Sequence, residues 1–293
     1  MKLISTTAAF ALALNLNLSA GEFTDSDVND HSNHDHSNHD HSQHAEDYLG
    51  FNLTRGWLDP VAAHDHSSGG HDGRAKLIHP LTIEAAFNDS DLFVSYAFNS
   101  FDDADEHEIE IELELAITRR FGVVLETGYA FETEGGSTEN GFGDLEIAGR
   151  FVLAEYKNFI LTAGLGLGIP TGEGEFSEDQ LTVEPSLLAW TNLGNGFSLN
   201  TVIGAEFKTR SNESEIFLNA AIVKDLGGAF AATLESRNAV ALRGDERGDI
   251  ESEATVGLVY QATSNVAIRG GWSFPVENDE FSNGAVLSLN YSF

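Results

Sequence analysis

The chain has 293 residues, of which 47 are acidic and 15 are basic, so its formal net charge is −32. This charge excludes nucleic acid as a partner, because phosphate binding requires basic patches. The absence of cysteine excludes disulfides, thiol catalysis and cysteine-ligated metal sites. Beyond the first 20 residues no apolar run is long enough for a transmembrane helix. Any membrane crossing by this chain is therefore expected to use strands.

Residues 1–20 have the features of a secretory signal peptide. Lys2 supplies a positive start, residues 8–18 form a compact apolar stretch, and Ser19 and Ala20 provide the small residues of a cleavage site. The alternative is a hydrophobic first strand. We expect export, followed by removal of this peptide.

Residues 21–90 are predicted to form a periplasmic arm rich in histidine and aspartate. Residues 21–47 contain too little apolar surface to fold alone, so we expect them to be disordered and residues 48–90 to be partly ordered. Imidazole and carboxylate groups together suit Zn, Ni or Cu ions. The alternative is a solubilising low-complexity tail. No other cofactor is predicted, and the candidate metal ligands are His31, His34, His36, His39, His41, His44, His64, His66 and His71.

Residues 91–293 are predicted to form an all-β domain, a single transmembrane up-and-down antiparallel β-barrel of about 12 strands. In the second strand, isoleucine and leucine side chains from Ile109 to Ile117 alternate with glutamates, so a strand places all the glutamates on one face. The expected strands are 91–99, 106–118, 121–132, 143–154, 158–169, 180–190, 197–208, 214–223, 229–238, 250–261, 265–274 and 284–293.

The connections and the aromatic residues indicate an outer-membrane barrel. Tight turns alternate with longer polar loops, aromatic side chains gather at both strand ends, and the last strand ends on Phe293. This layout predicts the outer membrane of a Gram-negative bacterium, with both termini periplasmic and with lipid and the barrel assembly machinery as partners. The alternative is a soluble β-sandwich or lipocalin-like barrel, in which the apolar face would point inward.

The polar faces of the strands predict an acidic lumen. Such a lumen concentrates cations and repels anions. The alternative is that the carboxylates pair with arginines and fill a small barrel. The candidate lumen residues are Glu108, Glu110, Glu112, Glu114, Glu126, Asp144, Glu146, Arg150, Arg237 and Arg269.

No enzymatic constellation is apparent in the sequence. There is no Gly-x-Ser-x-Gly elbow and no phosphate-binding glycine loop, and the predicted barrel contains only His107 as a histidine. The four glutamates of the second strand give no differentiated acid and base. We therefore expect that this protein is not an enzyme.

Three short motifs resemble those of a known family. Gly141-Phe-Gly-Asp-Leu145, followed by Gly149-Arg-Phe151 and by Gly168-Ile-Pro-Thr-Gly172, resembles the outer-membrane "transporter" family labelled as a putative MetA pathway of phenol degradation. The similarity spans residues 91–293. It implies a porin-like barrel and transfers no catalytic residues, and Asp144 and Arg150 match its motif as a lumen pair.

These features together predict a porin-like channel or transporter for small solutes, with divalent metal cations as the expected cargo and metal capture by the arm. One alternative is a non-conducting protein that sequesters metal or is structural, with the barrel as its anchor. The other alternative, which the resemblance alone implies, is uptake of hydrophobic or aromatic molecules.

Overall fold

The computed structural model describes residues 48–51, 53–59, 76–102, 104–244, 247–277 and 281–293. The predicted signal peptide, the segment 21–47 and all nine candidate histidine ligands lie outside these residues. Among the described residues, no helix is both long enough and apolar enough to cross a membrane.

Nearly all of the regular secondary structure in the described residues consists of β-strands. A single 3-10 turn at Gly174–Phe176 interrupts the connection between two of them. The strands are β1 Asp91–Phe101, β2 Ala104–Ala116, β3 Phe121–Glu134, β4 Ser137–Phe142, β5 Leu145–Tyr156, β6 Phe159–Ile169, β7 Thr182–Gly194, β8 Phe197–Lys208, β9 Ser214–Gly227, β10 Phe230–Arg243, β11 Ile250–Gln261, β12 Val266–Glu277 and β13 Phe281–Ser292.

Twelve of these strands close into an antiparallel barrel, as predicted. Each pairs with its sequence neighbour, β1 closes the sheet by pairing with β13, and β3 pairs with β5 across the wall. The additional strand, β4, pairs only with the end of β3, in a region expected to be a loop. Gly135 and Gly136 allow this hairpin because both adopt positive φ, at 56° and 89°.

The two ends of the barrel differ in the length of their connections. At one end, which we call the short-turn end, adjacent strands are joined by 117–120, 157–158, 195–196, 228–229 and 262–265. At the opposite, long-loop end the connections include 170–181, 209–213 and 244–249. The chain enters β1 and leaves β13 at the short-turn end, since Asp91 pairs with Ser292.

The outward face of the wall is apolar and exposed. Large side chains such as Ile111, Leu218, Leu258 and Leu287 each leave about half of their surface uncovered, at 48%, 54%, 58% and 57%. Aromatic rings pair across strands near both ends, for example Phe230 with Tyr260 at the short-turn end, with ring centroids 5.0 Å apart. An exposed apolar band between aromatic girdles is the surface of a membrane barrel, so the soluble alternative does not fit.

The inward face changes character along the barrel axis. Near the short-turn end it carries buried apolar side chains, among them Val152, Ile160, Leu188 and Trp190. Towards the long-loop end it carries glutamates, among them Glu108 and Glu184. The interior therefore has an apolar half near the short-turn end and an acidic half near the long-loop end.

Candidate functional site in the barrel interior

The stretch just before β1, residues 76–90, lies inside the barrel, and we call it the lumen segment. Leu77, Ile83 and Phe87 are 4%, 6% and 1% exposed. They belong to one buried cluster with Ala85 and Ala86 and with the inward-facing wall residues Val152, Ile160, Leu188, Trp190, Val202 and Ala221. The lumen segment therefore fills the apolar half of the interior, where burial of its side chains stabilises it.

A buried glutamate on β10 anchors the middle of the lumen segment. The Glu235 carboxylate accepts hydrogen bonds from the backbone N–H groups of Leu81 and Thr82, at 2.6 and 2.8 Å. It also accepts one from the Thr82 hydroxyl, at 2.9 Å. Glu235 is only 1% exposed, so its side chain has almost no contact with water. These three donors provide the hydrogen bonds that water would otherwise make.

Two arginines of the wall hold neighbouring points of the lumen segment. Arg269 on β12 donates to the Pro80 carbonyl at 2.6 Å and to the Ser288 hydroxyl at 3.0 Å. Arg150 on β5 forms ion pairs with Glu114 of β2 and with Glu84 of the lumen segment, the latter at 3.1 Å. The Arg150 side chain is 3% exposed, so removal of either partner would leave a buried charge poorly compensated.

A buried histidine ties the lumen segment to the start of β1. His79 Nε2 lies 3.1 Å from a carboxylate oxygen of Asp91 and 3.4 Å from one of Asp89. Its ring packs edge-on against Phe87 and Phe93, at centroid distances of 4.7 and 5.2 Å. Two carboxylates at one ring nitrogen favour the imidazolium form, so His79 serves as a structural cation.

Above the lumen segment, the interior holds two cavities lined by glutamates. The first has a volume of about 320 Å³, and among the described residues that line it are seven glutamates and two arginines, Arg237 and Arg269. The second has a volume of about 280 Å³ and is lined by eight described glutamates and by Arg237. Thr82, Ile83 and Glu84 border both cavities. Carboxyl groups on the described walls of these cavities therefore outnumber the arginines several-fold.

Three of the glutamates converge closely in the first cavity. Carboxylate oxygens of Glu110, Glu112 and Glu126 lie within 4.8 Å of one another. Like charges at this spacing repel, so a bound cation or protonation is needed to stabilise the group. Carboxylate oxygens are the ligands that hard cations such as Ca²⁺ and Mg²⁺ prefer, so this group can attract such an ion.

The structure distributes the predicted lumen residues over four environments. Arg150 is buried between Glu114 and Glu84, Glu146 lines the second cavity, and Asp144 contacts the loop before β7. The others line the first cavity, and Glu126 and Arg237 line both: Glu108, Glu110, Glu112, Glu114, Glu126, Arg237 and Arg269.

Asp144 does not pair with Arg150 as the motif suggested. Its carboxylate accepts hydrogen bonds from the Gly172 and Glu178 backbone N–H groups and from the Ser177 hydroxyl, at 2.7 to 2.9 Å. Partial burial opposes ionisation, but these hydrogen bonds outweigh it and lower the pKa of the Asp144 carboxyl. Asp144 therefore fixes the 170–181 loop at the long-loop end, and Arg150 has other partners because Glu84 and Glu114 are closer to it.

One face of β7 carries a sequence signal of the lumen segment. Leu188 and Trp190 lie on the same inward face of β7 as Glu184. This face therefore changes from acidic to apolar along the strand. Both are fully buried, at 0% exposure. Apolar side chains on an inward face require an apolar partner, and the lumen segment is that partner.

The closed antiparallel barrel, its apolar exterior and its charged interior together define the porin-type class of outer-membrane β-barrels. The family described as "Putative MetA-pathway of phenol degradation" matches residues 93–291, nearly the whole barrel. The chain belongs to this family, as its motifs suggested.

Solved structures share this fold at low sequence identity. An outer membrane channel from Pseudomonas putida F1 superimposes with a TM-score of 0.58 at 12% identity, over 74% of this chain and 100% of the channel. The NanC porin gives a TM-score of 0.54 at 8% identity, over 69% of this chain and 100% of the porin. A comparison with curated proteins gave no match.

Proposed function

We propose that this protein is an outer-membrane channel for small solutes that favours small cations, and that it transports without catalysing a reaction. The observation that carries the proposal is the pair of glutamate-lined cavities above the lumen segment. Carboxylates in a confined space raise the local concentration of cations and exclude anions. The similarity of the fold to porins and channels supports the transport role.

The location and the route of export belong to the same proposal. Residues 1–20 would direct export, and the alternating last strand that ends on Phe293 would be read by the barrel assembly machinery. The short-turn end would then face the periplasm, as it does in bacterial outer-membrane barrels. The lumen segment would lie in the periplasmic half of the channel.

Conductance of the full-length protein in planar lipid bilayers tests the transport role. Discrete current steps in a simple salt solution are expected, because the cavities are polar and lined by carboxyl groups. The steps should be small, because the lumen segment fills the other half of the interior. Failure to conduct under any salt or voltage would instead support the non-conducting alternative, in which the barrel is an anchor.

The arm adds a metal-capturing role to the proposal, with divalent Zn, Ni or Cu as the ions. Calorimetric titration of the full-length protein with Zn²⁺ or Ni²⁺ should reveal more than one bound ion. Binding should weaken as the pH falls through ~6.5, because protonated imidazole does not ligate metal. The decisive variant replaces by alanine the six histidines His31, His34, His36, His39, His41 and His44.

A matched control keeps these histidines and introduces the same number of alanines in the same window. The six-histidine variant should lose most of the bound metal and the control should retain it. Equal stoichiometry in the two variants would contradict metal capture by imidazole. The control replaces Ser32, Asn33, Ser37, Asn38, Ser42 and Gln43.

A second candidate function is uptake of aromatic molecules. The family description names phenol degradation, and this description is the observation that favours the candidate. Deletion of the gene should then slow growth on phenolic substrates and leave growth on polar carbon sources unchanged. If the deletion strain grew as fast as the parent strain on phenolic substrates, this candidate would be wrong.

A further inference from the structure

A second segment before the barrel, which we call the rim segment, lies at the short-turn end and comprises residues 48–51 and 53–59. We propose that the rim segment is a membrane anchor that inserts its apolar side chains into the lipid leaflet around the short-turn end. This inference rests on the proposed placement of the barrel in a membrane, and it is independent of what passes through the lumen.

Backbone hydrogen bonds fix the rim segment to the wall. Gly50 and Glu155 exchange two of them in an antiparallel bridge, at 2.7 and 3.3 Å. The Phe51 N–H donates to the Tyr156 hydroxyl at 3.2 Å. The Arg119 N–H donates to the Asp59 carbonyl at 3.1 Å. Both ends of the rim segment are therefore held against the turns that join β2 to β3 and β5 to β6.

The interior of the rim segment is small and already filled. Leu49, which is 2% exposed, packs where Gly56 and Arg120 meet. A side chain at Gly56 would collide with Leu49, and its φ of +82° also favours glycine. The Arg120 guanidinium donates to the Arg55 carbonyl. The segment is thus a fixed turn, and its remaining large apolar side chains have no room inside it.

Those remaining side chains point away from the protein. Phe51, Leu53, Trp57 and Leu58 are 63%, 44%, 52% and 92% exposed, within a stretch of eight positions. A concentrated apolar surface of this kind marks an interaction site, because isolated exposed residues are common but contiguous groups are not. The Trp57 indole N–H donates to the Leu53 carbonyl at 2.7 Å, so the ring can leave water without losing a hydrogen bond.

The position of Trp57 identifies lipid as the occupant. Its ring lies 5.0 Å from that of Phe151, which faces outward on β5. Phe151 in turn pairs across the strands with Phe121, an exposed residue of the same aromatic girdle. The apolar surface of the rim segment is therefore continuous with the lipid-facing surface of the barrel. Tryptophan and phenylalanine are the side chains that favour the membrane interface.

This anchor would also position the histidine-rich arm. The rim segment lies within the arm, between the histidines at 31–44 and those at 64–71. Anchoring it would hold this part of the arm at the membrane surface, beside the short-turn opening. Captured metal would then stay near the barrel, which raises its effective concentration there.

Depth-dependent fluorescence quenching tests the anchor on the full-length protein in vesicles of phosphatidylethanolamine and phosphatidylglycerol. The natural chain has no cysteine, so Leu58→Cys creates a unique attachment site for a bimane label. Leu58 is almost fully exposed, so the substitution removes no packing within the protein. Nitroxide groups on lipid acyl chains should quench this label several-fold more strongly than aqueous iodide does.

Two control positions separate the possible outcomes. Ser264→Cys, on the exposed turn between β11 and β12, places the label at the same end but on a polar surface, where iodide should quench it more strongly. Leu218→Cys, outward on β9, reports whether the barrel itself is in lipid. If the Leu218 label is quenched by lipid and the Leu58 label behaves like the Ser264 label, the anchor is wrong.

The remaining outcomes also decide the matter. A Leu58 label that is shielded from both quenchers would mean that protein covers the rim segment, which overturns the anchor. A Leu218 label that lipid does not quench would instead contradict the membrane placement of the barrel, and with it the basis of this inference. Lipid quenching at both Leu58 and Leu218, but not at Ser264, would support the anchor.

Discussion

Two facing glycines on the inner wall leave the space that Leu81 of the lumen segment occupies. Gly257 on β11 and Gly271 on β12 are register partners. A Cβ atom at Gly271 would collide with Leu81 Cδ2 and would lie 2.8 Å from the Val256 carbonyl oxygen. The wall carries no side chain at this point because the lumen segment supplies one.

Replacing Gly271 by alanine should therefore destabilise the barrel, whereas the same change one residue earlier should not. Overpacking of a filled interior costs about 1–3 kcal/mol. At Gly270, the nearest atoms to a new Cβ lie 3.6 and 3.7 Å away, which is ordinary van der Waals contact. Unfolding of Gly271→Ala and Gly270→Ala in urea, followed by intrinsic fluorescence, gives the comparison. Equal stability of the two variants would mean that Leu81 does not occupy this space.

The sequence predicted the wall residues well and their partners poorly. The alternation of Ile109 and Ile111 with Glu108 and Glu110 is local, so it assigns both faces of β2 without knowledge of any neighbour. The pairing of Glu235 with Leu81 joins residues 154 positions apart, and no local pattern contains it. The same is true of Arg150 with Glu84, which is why the motif misled the assignment of its partner.

At the scale of elements, the predictable parts are those with regular alternation. The strands of the barrel alternate over ten or more residues and were recognised from that pattern. In contrast, the sequence predicts a loop at β4 because its residues, such as Thr138 and Glu139, are polar. In the structure these two residues pair with Thr133 and Glu132 of β3. The lumen segment has no regular secondary structure, and apolar burial together with polar contacts from the wall holds it in place.

Glu235 should control how firmly the lumen segment is held. Glu235→Ala removes the acceptor for two buried backbone N–H groups, and each unsatisfied group costs about 1–3 kcal/mol. Hydrogen exchange at the Leu81 and Thr82 amides should therefore become roughly tenfold faster or more. Glu215→Ala on β9 removes the same charge from the second cavity and serves as the control. Unchanged exchange in Glu235→Ala would show that the apolar contacts alone hold the segment.

At the scale of the whole molecule, charge and topology act together. The barrel places the apolar faces of twelve strands outward and so collects their polar faces in one confined interior. Acidic side chains outnumber basic ones by 47 to 15 in the whole chain, and they also outnumber them on the described walls of both cavities. The cation preference that we propose is therefore a property of the assembled barrel, and it does not depend on any single glutamate.

The reversal potential in a salt gradient tests this cation preference most directly. The natural protein should favour cations, and the preference should decrease at high salt because screening shortens the reach of the carboxylates. Replacing Glu110, Glu112 and Glu126 together by glutamine keeps their shape and removes their charge, so conductance should persist while the preference for cations falls. Glu139→Gln, on the exposed β4 hairpin, removes a charge outside the cavities and should change nothing. Anion selectivity of the natural protein, or an unchanged reversal potential in the triple variant, would contradict the account.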